Sequence, residues 1–188
     1  ASAPLQLDEI AKAGESVSAN EARDRDEFSI AEAVRLLPGV RMSQLGGPGS
    51  LISIHIRGLR SQDTAVLFDG LRIRDAADPQ GSASPFLEVL NTMDTASVEV
   101  LRGSGSSLYG SHAIGGVINI RGEEGGGPWR GQLLSEGGGL GLLRGVARTS
   151  GGVGERLLLS AGVGHLNVRE GVAGANPHRN TNGQAFAR

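Results

Sequence analysis

The chain contains no cysteine, which excludes disulfides, thiolate catalysis and thiolate metal sites in one stroke. Lysine is almost absent as well: Lys12 is alone, and arginine supplies the remaining positive charge. That bias fits a GC-rich coding sequence, with bidentate pairing as a secondary benefit of arginine. No apolar run approaches the roughly 20 residues of a membrane helix, so any membrane role has to use strands or partners. No large excess of charge of either sign exists, since the formal net charge is -2, and bulk attraction to nucleic acid or to an anionic surface is not indicated. Aromatic residues are 3% of the chain, so a core has to be aliphatic.

What is abundant is glycine, with 31 residues among 188, concentrated after Gly103. No strict three-residue period accompanies it, which rules out a collagen helix, and apolar alternation persists between the glycines, which argues against disorder. A chain of this length can bury one core and carry an appendage.

Residues 1–27 are polar and weakly patterned, as expected of an extended, mobile N-terminal segment. Ala1, Ser2 and Ala3 resemble the tail of a secretory cleavage site. Ser29 and Glu32 then form a capping box, followed by Ile30, Ala33, Val34 and Leu37 on one helical face and the stop Pro38-Gly39. Ile52, Ile54 and Ile56 alternate with Ser53, His55 and Arg57, a half-buried strand. Thr64 to Phe68 reads as a second strand running into the tight-turn pair Asp69-Gly70, with Leu71 to Ile73 as its return. Ser84 and Pro85 are suited to open a helix with Phe86, Leu87, Leu90 and Met93 as its apolar stripe. Strands over Val98 to Leu101 and Val117 to Ile120 flank a glycine-serine loop.

After Pro128 the texture changes. Leu157, Leu159, Ala161, Val163 and His165 share one face and Arg156, Ser160, Gly162 and Gly164 the other, with Leu158 the exception. Residues 140–149 repeat the pattern, with Gly141, Leu143, Gly145 and Ala147 opposite Arg144 and Arg148. Strands of about ten residues with one apolar and one small-or-polar face are the signature of a transmembrane barrel wall. Trp129 fits either an interfacial anchor or an ordinary packed residue.

No active site emerges. The loop 103–110 lacks the Gly-Lys-Ser/Thr ending of a phosphate cradle and leads into a turn and a strand. His55, His112, His165 and His178 stand apart with no ligand spacing, Asp75 and Asp78 lack a calcium-loop pattern, and no serine sits in a nucleophile elbow. The expectation is a non-enzyme without cofactor or resident metal.

Four pieces, in order, carry a resemblance: "EAVRLLPGV" (32–40), "ISIHIRG" (52–58), "AVLFDGLRI" (65–73) and "VEVLRG…LYGSHAIGGVINI" (98–120). Together they resemble the N-terminal part of a TonB-dependent outer-membrane receptor. The resemblance implies an α+β plug domain, a short mixed sheet with two short helices, followed by the first antiparallel strands of a transmembrane β-barrel of about 22 strands. It divides the chain into an extended segment 1–27, a plug 28–121, a linker 122–128 and three or four wall strands over 129–188, the chain being the front of a longer receptor. It places the plug in the lumen of an outer-membrane barrel with its N-terminus in the periplasm. The partners implied are TonB of the inner-membrane energy-coupling complex, outer-membrane lipid around the strands, and a scarce small-molecule nutrient, with no nucleic acid. The stretch 46–58 resembles the cobalamin-receptor branch, so cobalamin is the first ligand expected and a ferric siderophore the next.

Residue by residue, the resemblance places ligand contacts in two apical loops, at Ser43, Gln44, Gly46, Gly47 and Ser50, and at Asp75, Asp78, Gln80 and Ser82. Arg57 and Arg102 are expected to fork onto carboxylates of the wall and hold the plug in place. Leu5, Gln6, Leu7, Asp8, Glu9 and Ile10 are the candidate TonB box, without the family's usual valine-rich run after it. Ser104 stands where such receptors often carry proline. The alternative from another class is a stand-alone soluble or surface binding domain with the same fold.

Overall fold

The computed structural model describes residues 14–25, 27, 29–46, 50–87, 90, 92, 95–110, 112–122, 126–153, 157–170 and 177–187. The candidate TonB box, Gly47 and Met93 lie outside them.

The N-terminal domain is built on a five-stranded sheet of order β1-β6-β7-β4-β5. These strands are β1 (Gly14–Ser18), β4 (Thr64–Phe68), β5 (Leu71–Ile73), β6 (Thr95–Arg102) and β7 (Gly116–Gly122). All neighbours are antiparallel except β4 and β7. A separate hairpin pairs β2 (Val40–Gln44) with β3 (Ile52–Ile56). The turn between β4 and β5 is the expected Asp69-Gly70, both residues at positive φ (47° and 80°), the backbone a two-residue hairpin needs to match strand twist.

One face of the sheet, Val66, Val98, Val100, Ile118 and Ile120, packs against Ile52, Ile54 and Ile56 of the β2–β3 hairpin, against α2 (Ile30–Val34) and against Leu87 of α3 (Ser84–Leu87). Helix α2 starts as its capping box dictates: Glu32 N–H donates to Ser29 Oγ at 3.1 Å, and Ser29 N–H to Glu32 Oε2 at 3.0 Å. Each fully buried aliphatic side chain here contributes about 1.5–3 kcal/mol. The core is thus aliphatic, as the shortage of aromatics requires.

The other face, Ala65, Leu67, Leu101 and Val117, is covered by Ala113 and Tyr109 from the glycine-serine loop. That loop contains a one-turn helix, α4 (Ser106–Tyr109), where the sequence suggested only a loop. It forms because Leu108, Tyr109 and Gly110 N–H groups find carbonyls at Gly105 and Ser106 while Tyr109 reaches the sheet. The glycines allow the close approach: a Cβ on Gly105 would stand 2.8 Å from Val117 Cγ2.

Residues 14–25 differ from the expected extended segment. They form β1 and the helix α1 (Ala19–Asp24), capped by Ser18 Oγ accepting from Glu21 N–H at 3.2 Å. Val17 and Ala22 are buried with Ala33, and β1 pairs with β6 from Gly14↔Leu101 to Ser18↔Ser97. A single apolar residue in a polar run is too weak a period to read, but an unpaired edge of β6 supplies the ladder.

The second half is a four-stranded antiparallel sheet of order β11-β10-β9-β8, comprising β8 (Arg130–Gly138), β9 (Leu142–Val153), β10 (Leu157–Val168) and β11 (His178–Ala187). Leu140 and Gly141, expected to begin a strand, instead make the β8–β9 turn, with φ of 57° and 64°. The register brings the sequence faces together. Leu133, Ala147, Val163 and Gly183 lie in one row, on a face that also carries Leu143, Leu157, Leu159, Ala161, Ala185 and Ala187. Leu133, Leu143, Val153, Leu157 and Val163 on this face are all solvent-exposed in the chain alone. The opposite face presents Gln132, Arg144, Arg148, Ser150 and Ser160, with Glu136 paired to Arg144.

Candidate functional site

The first loop proposed for ligand contact closes the β2–β3 hairpin. Ser43 and Gln44 end β2, opposite Ser53 and Ile52, and Leu45 N–H donates to Leu51 O at 3.2 Å. Leu45 is 76% exposed and Leu51 43%, so the tip offers apolar side chains beside the small polar ones. Gly46 adopts a φ of 153°, and a Cβ there would stand 2.6 Å from Ser50 Oγ, which ties the loop's shape to glycine.

The second loop is ordered by its own acids. Asp75 Oδ1 accepts from Ala77 N–H at 2.8 Å; Asp78 Oδ1 and Oδ2 accept from Gln80 and Ser82 N–H, both at 2.9 Å. These two backbone bonds hold the Asp78 carboxyl below the usual carboxylate range. Ser82 Oγ bonds Ser84 Oγ at 2.9 Å, and Ser84 Oγ bonds Ser61 Oγ at 2.8 Å. Among the described residues, hydrogen bonds tie this loop to the turn after β3 and not to the first loop. Asp75 and Asp78 therefore set the loop's shape and leave its outward rim to Gln80 and backbone groups.

Arg57 and Arg102 come together at one end of the sheet, each seated on another motif's glycine. Arg57, at φ 54°, donates its N–H to Gly39 O at 2.8 Å, and its Nη1 lies 3.1 Å from where a Cβ of Gly103 would stand. Arg102 packs its stem over Gly39, donates from Nη1 to Pro38 O at 2.6 Å, and from Nη2 to Glu15 Oε1 at 2.8 Å. Glu15 is a functional candidate that sequence reading missed. It is 87 residues from Arg102, and nothing local marks the pair.

This interlocking of Pro-Gly, Ile-Arg-Gly and Leu-Arg-Gly pieces agrees with the comparison to known families, in which the TonB-dependent receptor plug domain matches residues 6–117. The chain belongs to the TonB-dependent receptor plug domain family. The solved structures it resembles include the ferric yersiniabactin uptake receptor of Yersinia pestis, at 25% identity and a TM-score of 0.66 over 85% of this chain and 24% of that one. Another is the ferripyoverdine receptor of the outer membrane of Pseudomonas aeruginosa, at 20% identity and a TM-score of 0.72 over 88% and 21%. A third is a siderophore receptor of Acinetobacter baumannii, at 21% identity and a TM-score of 0.62 over 84% and 25%. The chain spans about a quarter of the length of each of these receptors. Its plug matches the expected α+β class, and the four strands after it match the expected antiparallel wall.

A second missed residue of the plug is Glu27. It is 4% exposed; among the described residues its carboxylate oxygens make no hydrogen bond, and Arg25 lies 3.7 Å away. Burial raises its carboxyl above the usual range, against the partial opposition of Arg25 and Arg35. The folded plug therefore holds this proton more tightly than the unfolded chain. Stability from this group is fully present below the ordinary carboxyl pKa and declines as pH rises through the raised value. Glu27→Gln should accordingly leave urea stability little changed near pH 4 and raise it at pH 7 to 8, read by pulse proteolysis. A loss of stability that grows as pH rises from 4 to 8 would show instead that the ionised carboxylate is favourably paired.

Among the described residues, no three His, Asp or Glu side chains gather in a group able to hold a metal ion.

Proposed function

We propose that the chain is the plug and first wall strands of an outer-membrane importer that takes up a ferric siderophore. The N-terminus lies in the periplasm, within reach of TonB, and residues 5–10 are the coupling segment. The observation that carries the reading is the union, in one chain, of the plug fold with a four-stranded sheet whose one face exposes Leu133, Leu143, Val153, Leu157 and Val163. A soluble binding domain has no use for such a face, whereas a barrel wall in lipid requires it. The receptors named above take ferric chelates or siderophores by their descriptions, which supports that ligand class. Cobalamin, suggested by residues 46–58, is the alternative. In this reading the rims of the loops 43–50 and 75–84 face the ligand, and Arg57 and Arg102 stand at the plug surface toward the wall.

The test replaces residues 75–84 with a Gly-Ser linker in the complete receptor, in outer membranes. Ferric-siderophore affinity should fall at least about tenfold, about 1.4 kcal/mol, while the protein keeps a gel mobility that shifts on boiling. Unchanged affinity for the bound chelate would remove the loop from the site. A soluble band near 19.3 kDa that ignores boiling would sink the importer reading.

A further inference from the structure

The connection between α1 and α2 is stitched to the body of the plug and hides a carboxyl group. Glu27 N–H donates to Ala22 O at 2.8 Å and closes the end of α1. Its carbonyl accepts from Thr92 Oγ1 at 3.0 Å, a buried contact across 65 residues, and three residues on, Ile30 N–H donates to Leu90 O at 3.1 Å. These bonds fix the backbone and with it the direction of the Glu27 side chain, which is 2% exposed. The seam it sits in joins small apolar surfaces: Val17 of β1 and Ala22 of α1 on one side, Ala33 of α2 and Leu37 on the other.

Two cations and two other carboxylates surround this group, Arg25 and Glu21 at α1 and Arg35 and Glu32 at α2. Leu90 and Thr92, on the third side, carry no charge. Arg25 is shared, since its Nη2 pairs with Glu21 while its Nη1 stands 3.7 Å from Glu27 Oε2. With Glu27 protonated the group is balanced, two positive against two negative; ionised, Glu27 makes the negative side three against two. Among the described residues neither of its carboxylate oxygens has a hydrogen bond to replace the lost water, and a buried ionised carboxylate so placed is costly. Because Ala22 and Thr92 hold the backbone at Glu27, the side chain reaches water only if α1 lifts from α2.

We propose that Glu27 is a proton-operated latch for the N-terminal unit of β1 and α1. With its proton it holds the unit against α2; on losing that proton to water it lets β1 and α1 open together while the rest of the sheet stays paired. The unit is separable because β1 is an edge strand paired only with β6, so its departure leaves the order β6-β7-β4-β5 intact. Burial sets the direction: the hold is complete below the ordinary carboxyl pKa and weakens as pH rises through the raised value. If residues 5–10 couple to TonB, the latch sets how readily a pull frees the first strand, but the latch itself does not rest on that reading.

The test is amide exchange in the complete receptor, without ligand or TonB, corrected for the intrinsic pH dependence of exchange and compared at about pH 5 and about pH 8. Protection over residues 14–25 should fall at least about threefold from the lower to the higher pH, and should lie below that of Val98, Ile118 and Ile120 at both. Glu27→Gln keeps the shape and removes the charge, so it should show no such fall and should protect the segment better than the parent at the higher pH. A Glu27→Gln receptor that keeps the parent's pH dependence overturns the latch. Protection over 14–25 equal to that of the three core residues at both pH values also overturns it, since the segment then opens only with the whole plug. Neither readout involves a ligand or import, so loss of the latch leaves the importer reading standing, and loss of the importer reading leaves the latch.

Discussion

Gly116→Ala is expected to cost the plug about 3 kcal/mol, a rise of about 150-fold in its unfolded fraction. Gly116 opens β7 between β6 and β4 and has an ordinary negative-φ backbone, so space and not conformation makes it glycine. A Cβ there would lie 2.5 Å from Leu101 O and 2.8 Å from Ile56 Cδ1. The isoleucine could turn, but the carbonyl belongs to the β6–β7 ladder, where Leu101 faces Val117. Relief would mean opening that pairing in the middle of the sheet. Gly145→Ala is the control. It lies in β9 and its Cβ would meet nothing within 4 Å, so the change should stay within about 0.5 kcal/mol. Urea titrations read by pulse proteolysis distinguish the two. Equal, small effects would show that the sheet yields at Gly116 and that the packing argument for the motif's second glycine is wrong.

Removing the Arg102 side chain is expected to release β1. Arg102→Ala takes away a charged hydrogen bond to Glu15, another to Pro38 O, and the stem packed over Gly39, together about 2 kcal/mol. Because Glu15 is about a third exposed, the ionic part is screened, and a double-mutant cycle with Glu15→Gln should give a coupling of only about 1 kcal/mol. The location makes the pair consequential. β1 is an edge strand held on one side only, and Glu15 sits at the end nearest the N-terminus. If TonB draws on residues 5–10, force enters at Gly14 and meets this clasp first. Amide exchange over residues 14–18 should therefore accelerate about 30-fold in Arg102→Ala, while Val98, Ile118 and Ile120 exchange as before. Acceleration spread evenly over the sheet would mean that the pair stabilises the plug as a whole.

The sequence by itself determined the elements whose signals are local. Ser29 and Glu32 marked the start of α2, Asp69-Gly70 the β4–β5 turn, and Ile52, Ile54 and Ile56 a strand with one buried face. The wall strands were legible because their alternation persists over about ten residues, so that Leu157, Leu159, Ala161 and Val163 declare a common side before any pairing is known. Glycine in the motifs signalled close approach without saying to what.

Tertiary structure decided everything that depends on partners distant in the chain. The folding of β1 came from the open edge of β6, because Val17 alone gives no period. The seats of Arg57 and Arg102 followed from glycines contributed by other motifs, and Asp75 Oδ1 and both Asp78 oxygens proved to bond backbone N–H groups of their own loop. The hydrogen bond between Asn167 and Arg179 needed the β10–β11 register, since the two become neighbours only once one strand is laid on the other. Local backbone preference and side-chain period are carried by neighbouring residues. Cross-strand register and the seat of an arginine are set where separate segments meet, through contacts that no short window of sequence contains.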